Sequence, residues 1–209
     1  MFSAGIISYS SENYTFHFKA LAEDSVITPK YTNSGWTLEY SADKSTRTSI
    51  SSWSSFTIPA WETRYMRGSG FSTNSLFASV LSTNARTISK PVECHWNINE
   101  LINYINPPTT LADYCYASMF EWCTSLTTAP SLPATTMATY CYYGMFRNCT
   151  SFKVSATLTW SYDESWRIPT SWTGSVAANW NLTMLTWTWW TYTSSPSINT
   201  TYYIENPPV

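Results

Sequence analysis

Two stretches of sequence decide how this chain can fold, and they are copies of one pattern. PPTTLADYCYASMFEWCTSL runs from Pro107 to Leu126, and PATTMATYCYYGMFRNCTSF runs from Pro133 to Phe152. Twelve of the twenty aligned positions are identical, at a constant offset of 26 residues. Self-similarity at a fixed period of this length is typical of stacked coils, each of which packs on the next. We therefore expect the repeats 107–132 and 133–158 to form consecutive coils.

The positions that differ between the two copies support this interpretation. Leu126 is replaced by Phe152, which is also apolar, whereas Glu121 is replaced by Arg147, which has the opposite charge. Coils that share a core must keep their apolar positions and are free to vary their polar ones. The predicted core of the repeats consists of ten residues: Cys115, Met119, Phe120, Cys123, Leu126, Cys141, Met145, Phe146, Cys149 and Phe152.

The repeats resemble the BspA-type leucine-rich repeats of bacterial surface proteins, in the 26-residue variant found in gut Bacteroidetes and in the phages that infect them. The places that carry the resemblance are filled by Leu132-Pro133, Met145-Phe146, Cys149 and Phe152, and one coil earlier by Met119-Phe120, Cys123 and Leu126. The resemblance implies a curved solenoid of short strands and helical turns, displayed outside the cell or on a virion and used in adhesion or recognition, without enzymatic activity. Trp122 is a departure, because the family usually has a small residue before this cysteine.

The segments on either side of the repeats are expected to be β-rich. Phe16, Phe18 and Ala20 alternate with polar residues, which is typical of a strand with one buried face. Between Asn97 and Asn106 the apolar residues have helical spacing, which predicts a short amphipathic helix. The predicted fold is mainly β with short helices. An antiparallel, sandwich-like domain (1–92) precedes the leucine-rich-repeat unit (93–160), and an aromatic β-rich tail (161–209) caps it, since two repeats are fewer than an independent solenoid needs.

The composition excludes several classes of function. The chain has 209 residues, 13 acidic and 11 basic side chains and a formal net charge of −2, and only 11% of its residues are charged. A chain without a basic excess lacks the electrostatic footprint of a nucleic-acid-binding protein. No apolar stretch is long enough for a membrane span, and residues 1–12 lack the pattern of a secretory signal. We therefore expect neither nucleic-acid binding nor membrane insertion.

No catalytic or metal-binding motif is present in the sequence. It contains no GxSxG, no HExxH and no phosphate-binding glycine loop. Five cysteines without a CxxC pair and only two histidines, His17 and His95, do not make a zinc site. We expect no enzymatic activity, no cofactor and no metal. The cysteines are predicted to be buried free thiols, with disulfides between neighbouring coils as a less favoured alternative.

The aromatic residues are the candidates for binding, because they make up 17% of the chain and include 12 tryptophans. Tryptophan and tyrosine rings can stack on sugars and anchor protein interfaces. The candidate binding residues are Trp160, Trp166, Trp172, Trp187, Trp189, Trp190, Tyr116, Tyr142 and Tyr143. The alternation of Trp187 and Trp189 predicts a strand there. The competing interpretation is that most of these rings fill the core of the C-terminal segment.

Two functions remain open at this point. The first is a display protein of the virion surface or of the extracellular or cell surface, whose repeats act in adhesion to, or recognition of, a host glycan or protein. The second is a purely structural component of a phage particle, such as a capsid decoration or fibre protein, whose aromatic surfaces are buried between subunits. The expected partners are other virion or surface proteins, a second copy of the chain, and a glycan or protein of the host surface.

Overall fold

The fold is mainly β, as the sequence predicts. The structure is a computed structural model, and it describes residues 15–29, 37–51, 53–69, 88–170, 175–188 and 195–205. Within these ranges the strands are short, the sheets are mostly antiparallel, and the one helical element is a single 3-10 turn. None of the described segments forms a helix with the length and apolar character needed to cross a membrane.

The N-terminal part forms a five-stranded antiparallel sheet with the order β4-β3-β6-β1-β7. Its strands are β1 (His17–Ala20), β3 (Thr37–Ser41), β4 (Thr48–Ile50), β6 (Thr63–Ser69) and β7 (Val92–His95). A separate antiparallel pair is formed by β2 (Ser25–Ile27) and β5 (Phe56–Ile58). Phe16, Phe18 and Ala20 are buried, so the apolar face predicted from the alternation is confirmed. That face meets the repeats, because the rings of Phe18 and Phe120 lie 6.4 Å apart.

The helix predicted over residues 97–106 is wrong in its length. The chain forms a 3-10 helix at Ile98–Leu101, which Asn97 caps by accepting a hydrogen bond from the N–H of Asn99. Asn103 then accepts hydrogen bonds from the N–H groups of Ile105 and Asn106 through its side chain. Side-chain acceptors of this kind compete with the helical backbone pattern. The helix therefore stops, and Ile105 is left exposed at the surface.

The two repeats lie side by side and are joined by backbone hydrogen bonds. Backbone N–H groups of the first coil donate to carbonyl groups of the second, for example Tyr116 to Cys141 at 2.7 Å and Phe120 to Met145 at 2.8 Å. On its other side the first coil pairs with the N-terminal sheet, where Val92 forms a parallel bridge to Leu126. Each N–H bonds to the carbonyl 25 residues later, so that residues 26 apart, such as Phe120 and Phe146, lie beside each other in the stack.

A third coil, absent from the sequence prediction, stacks on the second one. It runs from Ala177 to Thr188, and it accepts hydrogen bonds from the second coil in the same manner, for example from Tyr142 N–H to Trp180 O at 2.7 Å and from Phe146 N–H to Met184 O at 2.9 Å. The register changes to 39 residues, since Met184 takes the place of Met145. The C-terminal segment therefore continues the stack.

The remaining strands form two further small sheets. Strands β9 (Val154–Ser155), β10 (Tyr162–Ile168) and β12 (Thr200–Glu205) form an antiparallel sheet with the order β10-β12-β9. Strand β8 (Thr136–Met137) pairs in parallel with β11 (Ser175–Val176). The buried side chains of the sheets and the coils form one continuous hydrophobic core, which runs through all three predicted segments of the chain.

Candidate binding surface

Each of the three coils places every fourth residue in the left-handed region of backbone conformation. These residues form three columns of three across the stack: Tyr114, Tyr140 and Asn179; Ser118, Gly144 and Thr183; Trp122, Asn148 and Trp187. Their φ angles lie between 55° and 64°. The repeat of this conformation in all three coils shows that they share one backbone path. We call the outward side of these columns the coil surface.

The middle column consists of small residues. A Cβ atom at Gly144 would lie 3.4 Å from Ser118 Oγ and 3.7 Å from Thr183 Oγ1, which is ordinary contact. The backbone conformation is what favours glycine there, because glycine adopts a positive φ without steric cost. The large exposed side chains stand in the columns on either side.

The first column is a ladder of tyrosines. The rings of Tyr114 and Tyr140 stack with their centroids 5.1 Å apart, and Asn179 Nδ2 lies 3.3 Å from Tyr140 Oη. Tyr143 contacts Tyr140 edge to face at 5.6 Å, and the Arg147 guanidinium lies over the ring of Tyr143 at 5.7 Å. Tyr143, which the sequence proposes for binding, is half-buried beside this ladder.

The last column carries two exposed tryptophans on either side of a buried asparagine. Trp122 is 47% exposed and Trp187 is 65% exposed, whereas Asn148 between them is 5% exposed. Asparagine and glycine adopt the left-handed conformation more readily than bulky residues do, for which it costs about 1–2 kcal/mol. At this position the second coil has asparagine, which the left-handed conformation favours. The first and third coils have tryptophan, which it disfavours.

The same combination of an exposed ring and a positive φ recurs elsewhere in the chain. Of the eight tryptophans that the structure describes, five have a positive φ, and all five are exposed: Trp53, Trp61, Trp96, Trp122 and Trp187. A bulky residue in a strained backbone conformation points to a functional site. Sequence reasoning missed four of these five residues, because nothing in an amino-acid pattern reports φ directly.

Trp160 and Trp187 are the two candidate tryptophans from the sequence that the structure exposes. Trp160 is 93% exposed, beside the exposed Leu158. Trp187 lies in a turn of the third coil, so the strand predicted there is wrong; its left-handed φ of 60° is incompatible with an extended strand. Trp172, Trp189 and Trp190 lie outside the described residues.

Three of the proposed binding residues are buried, so they are not part of an exposed surface. Tyr116 and Tyr142 stack at 5.7 Å in the core, and the Tyr116 hydroxyl donates a hydrogen bond to Asn99 Oδ1 at 2.7 Å. This hydrogen bond offsets the cost of removing the Tyr116 hydroxyl group from water. Trp166 packs edge to face against Phe146, and its indole Nε1 donates to the carbonyl of Pro130 at 3.0 Å.

The ten predicted core residues of the repeats are all buried. Phe120 stacks on Phe146 with centroids 5.3 Å apart and an angle of 5° between the rings, which continues the alignment of the coils. All five cysteines are free thiols rather than disulfides. Burial raises the pKa of each described thiol whose shift is resolved, for Cys115 to about 12. Thiols of this kind are unreactive and act as small apolar groups.

The two histidines lie side by side, in neighbouring strands of the N-terminal sheet. His17 on β1 pairs in register with His95 on β7, and their ring centroids are 5.4 Å apart. His17 Nδ1 lies 2.9 Å from the carbonyl oxygen of Thr15, and burial lowers the pKa of His17. Among the described residues no group of three or more metal-ligating side chains comes together.

No protein-family model matches this chain, and no curated protein or solved structure matches it either. Functional conclusions for this protein therefore rest on its own geometry.

Proposed function

We propose that this protein is a non-enzymatic display protein of a virion or cell surface, and that its three coils form a short leucine-rich-repeat solenoid of the BspA type which binds a host glycan or protein through exposed aromatic rings. The observation that carries the proposal is the column Trp122, Asn148 and Trp187. Its two tryptophans occupy exposed, left-handed positions, where asparagine would serve the fold at least as well.

The physical basis of such binding is a stiff platform with large flat rings. The coils are joined by backbone ladders and share one core, so the backbone that carries the coil surface is held in place. Tryptophan and tyrosine supply contact area while losing little conformational entropy. Charge is sparse in this chain, so the affinity for its ligand is expected to depend weakly on salt.

The experiment replaces both tryptophans by the residue that the second coil already has. The wild-type chain and the double variant Trp122→Asn/Trp187→Asn are applied to an array of immobilised glycans and to a panel of bacterial cells. The double variant should bind at least tenfold more weakly, while Ile105→Asn, at an exposed apolar residue outside the columns, serves as the control. Equal binding by the wild type and the double variant would overturn the proposal.

A structural role in a phage particle is the second candidate, and the exposed pair Leu158 and Trp160 favours it. Both side chains lie on the surface close together in sequence, where a neighbouring subunit could cover them. Fractionation of the source on a density gradient, with peptide mass spectrometry of each fraction, tests this role. Co-migration with DNA-containing particles, together with loss of incorporation in Leu158→Ser/Trp160→Asn, would favour it over surface recognition.

A further inference from the structure

A cavity of about 280 Å³ lies where the N-terminal sheet, the first coil and the C-terminal sheet meet. Its lining includes His95, Trp96, Ser131, Glu164, Trp166 and Arg167. They come from three different elements, and none of them belongs to the coil surface. The cavity is therefore a separate candidate site.

Trp96 is held in the cavity wall by backbone hydrogen bonds on both sides. It follows the end of β7 with a φ of 67° and is 42% exposed. Ser131 N–H donates to the Trp96 carbonyl at 2.9 Å, and Ile98 N–H donates to the Ser131 carbonyl at 3.3 Å. Trp96 thus combines a fixed backbone, a strained conformation and a partly open ring, in a wall of the cavity.

The opposite wall is formed by β10. Trp166 is fixed there by its hydrogen bond to the Pro130 carbonyl and by its edge-to-face packing on Phe152 at 5.5 Å. Glu164 and Arg167 of the same strand also line the cavity. The site therefore offers both strong hydrogen-bond acceptors and strong donors beside aromatic rings.

The residues around the cavity carry charges of both signs. Glu164 is partly buried, which raises the pKa of its carboxyl group; His95 opposes this shift, and the nearby Glu93 and Asp163 add to it. Arg167 also lines the cavity, and His95 Nε2 lies 3.5 Å from Glu93 Oε2. The cavity therefore has no excess of one sign that would select an anion or a cation. Hydroxyl groups, which both donate and accept hydrogen bonds, suit such a mixed lining.

We propose that this cavity binds one or two units of a neutral saccharide, with Trp96 as the aromatic platform and Glu164 and Arg167 as partners of the sugar hydroxyl groups. The volume supports a small ligand, since pockets for drug-sized molecules occupy about 300–1,000 Å³. Tryptophan faces are apolar and match the C–H face of a pyranose ring, while its N–H and neighbouring polar groups serve the hydroxyls. The biological role of this subsite rests on the proposed recognition function, but its sugar binding can be measured independently.

The test uses the full chain and defined sugars. Saturation-transfer NMR and calorimetry are carried out with the methyl glycosides of glucose, galactose, mannose and N-acetylglucosamine, and with N-acetylneuraminic acid as an anionic probe. The wild type should bind at least one neutral glycoside and should bind the anionic sugar more weakly. Failure to bind any neutral glycoside would overturn the proposal.

Two variants of the cavity and one control locate the binding. Trp96→Asn removes the ring but keeps a residue suited to the positive φ, and Glu164→Gln removes the charge but keeps the shape. Each should weaken binding at least tenfold. The control Glu62→Gln removes the charge of an exposed carboxylate elsewhere and should leave binding unchanged. A cooperative thermal unfolding transition is required of each variant, as evidence that it is folded.

The binding data distinguish a failure of the cavity proposal from a failure of the proposed recognition function. If the glycosides bind equally well to Trp96→Asn and Glu164→Gln, the cavity proposal is overturned. If they are lost instead in Trp122→Asn/Trp187→Asn, the sugar is held by the coil surface, which refutes the cavity and supports the recognition function. Loss in the cavity variants alone supports the cavity, whatever the coil surface binds.

Discussion

Glu121 of the first coil and Arg147 of the second occupy equivalent positions of the repeat, and their side chains form an ion pair across the coil boundary. Arg147 Nε lies 2.6 Å from Glu121 Oε1, and both side chains are largely buried. The sequence comparison treats this position as one that varies freely, because its charge reverses between the repeats. The structure shows that the reversal is complementary: equivalent residues of stacked coils are neighbours, so like charges there would repel each other.

This pairing predicts that the two positions are coupled energetically. Glu121→Arg alone places two guanidinium groups side by side, and Arg147→Glu alone places two carboxylates side by side, so each should lower the free energy of unfolding. The double variant Glu121→Arg/Arg147→Glu restores opposite charges. In urea unfolding it should recover about 1 kcal/mol relative to the sum of the single changes. Strictly additive effects would show that the ion pair contributes nothing to stability.

The left-handed backbone at Trp122 and Trp187 predicts an unusual order of stability among small substitutions. At an ordinary exposed position alanine is more stable than glycine, because glycine loses more chain entropy on folding. At a positive φ the order reverses, since alanine is strained there and glycine is not. Trp122→Gly and Trp187→Gly should each be more stable than the matching alanine variant by about 1 kcal/mol.

Trp160 supplies the control for this comparison, because it is exposed without a positive φ. Trp160→Ala should be at least as stable as Trp160→Gly. Thermal or urea unfolding of the six variants measures both orders. The same order at all three positions would contradict the assignment of strain to the coil surface.

The sequence predicts the first two coils well, because their identical residues lie in the core. Cys115 and Cys141 or Phe120 and Phe146 recur at one offset, and that offset is the spacing of neighbours in a stack. The third coil could not be predicted in this way. Between Asn179 and Thr188 it shares only Met184 with the equivalent residues of the second repeat, and 13 additional residues separate it from the regular period. What the coils have in common there is backbone conformation, which many residue types can adopt.

The binding residues are less predictable, since exposure depends on contacts that are remote in sequence. Tyr116 is buried because Asn99, 17 residues earlier, accepts a hydrogen bond from its hydroxyl. The cavity behind Trp96 is likewise assembled from elements that are distant along the chain, so no local motif could report it.

The buried thiols predict that the folded protein resists alkylation. All five cysteines are buried, and the raised pKa of thiols such as Cys115 suppresses the reactive thiolate. With iodoacetamide at pH 8, mass spectrometry should find no modification of the native chain and five modifications after unfolding in urea. Thr150→Cys, at an exposed position, should be labelled rapidly in the native state and so shows that the reagent is active. Rapid labelling of the wild type at Cys115 would contradict the coil packing.

Glu100 predicts how stability depends on pH. Its carboxyl group accepts a hydrogen bond from Phe16 N–H at 2.9 Å, and burial raises its pKa to about 7 from the ordinary value of 4.5. The folded state therefore binds a proton more tightly than the unfolded state does. The stability that this group contributes is fully present below pH 4.5 and is lost as the pH rises through 7.

Glu100→Gln should remove this dependence, because glutamine cannot ionise while its side-chain oxygen can still accept from Phe16. Unfolding midpoints measured between pH 4.5 and pH 8 should fall less steeply in the variant than in the wild type. Glu62→Gln, at an exposed carboxylate, controls for the loss of one negative charge. Parallel pH profiles for the wild type and Glu100→Gln would mean that this carboxyl group does not titrate between the two states, and the contact between the 3-10 helix and the N-terminal sheet would then have to be solvated rather than buried.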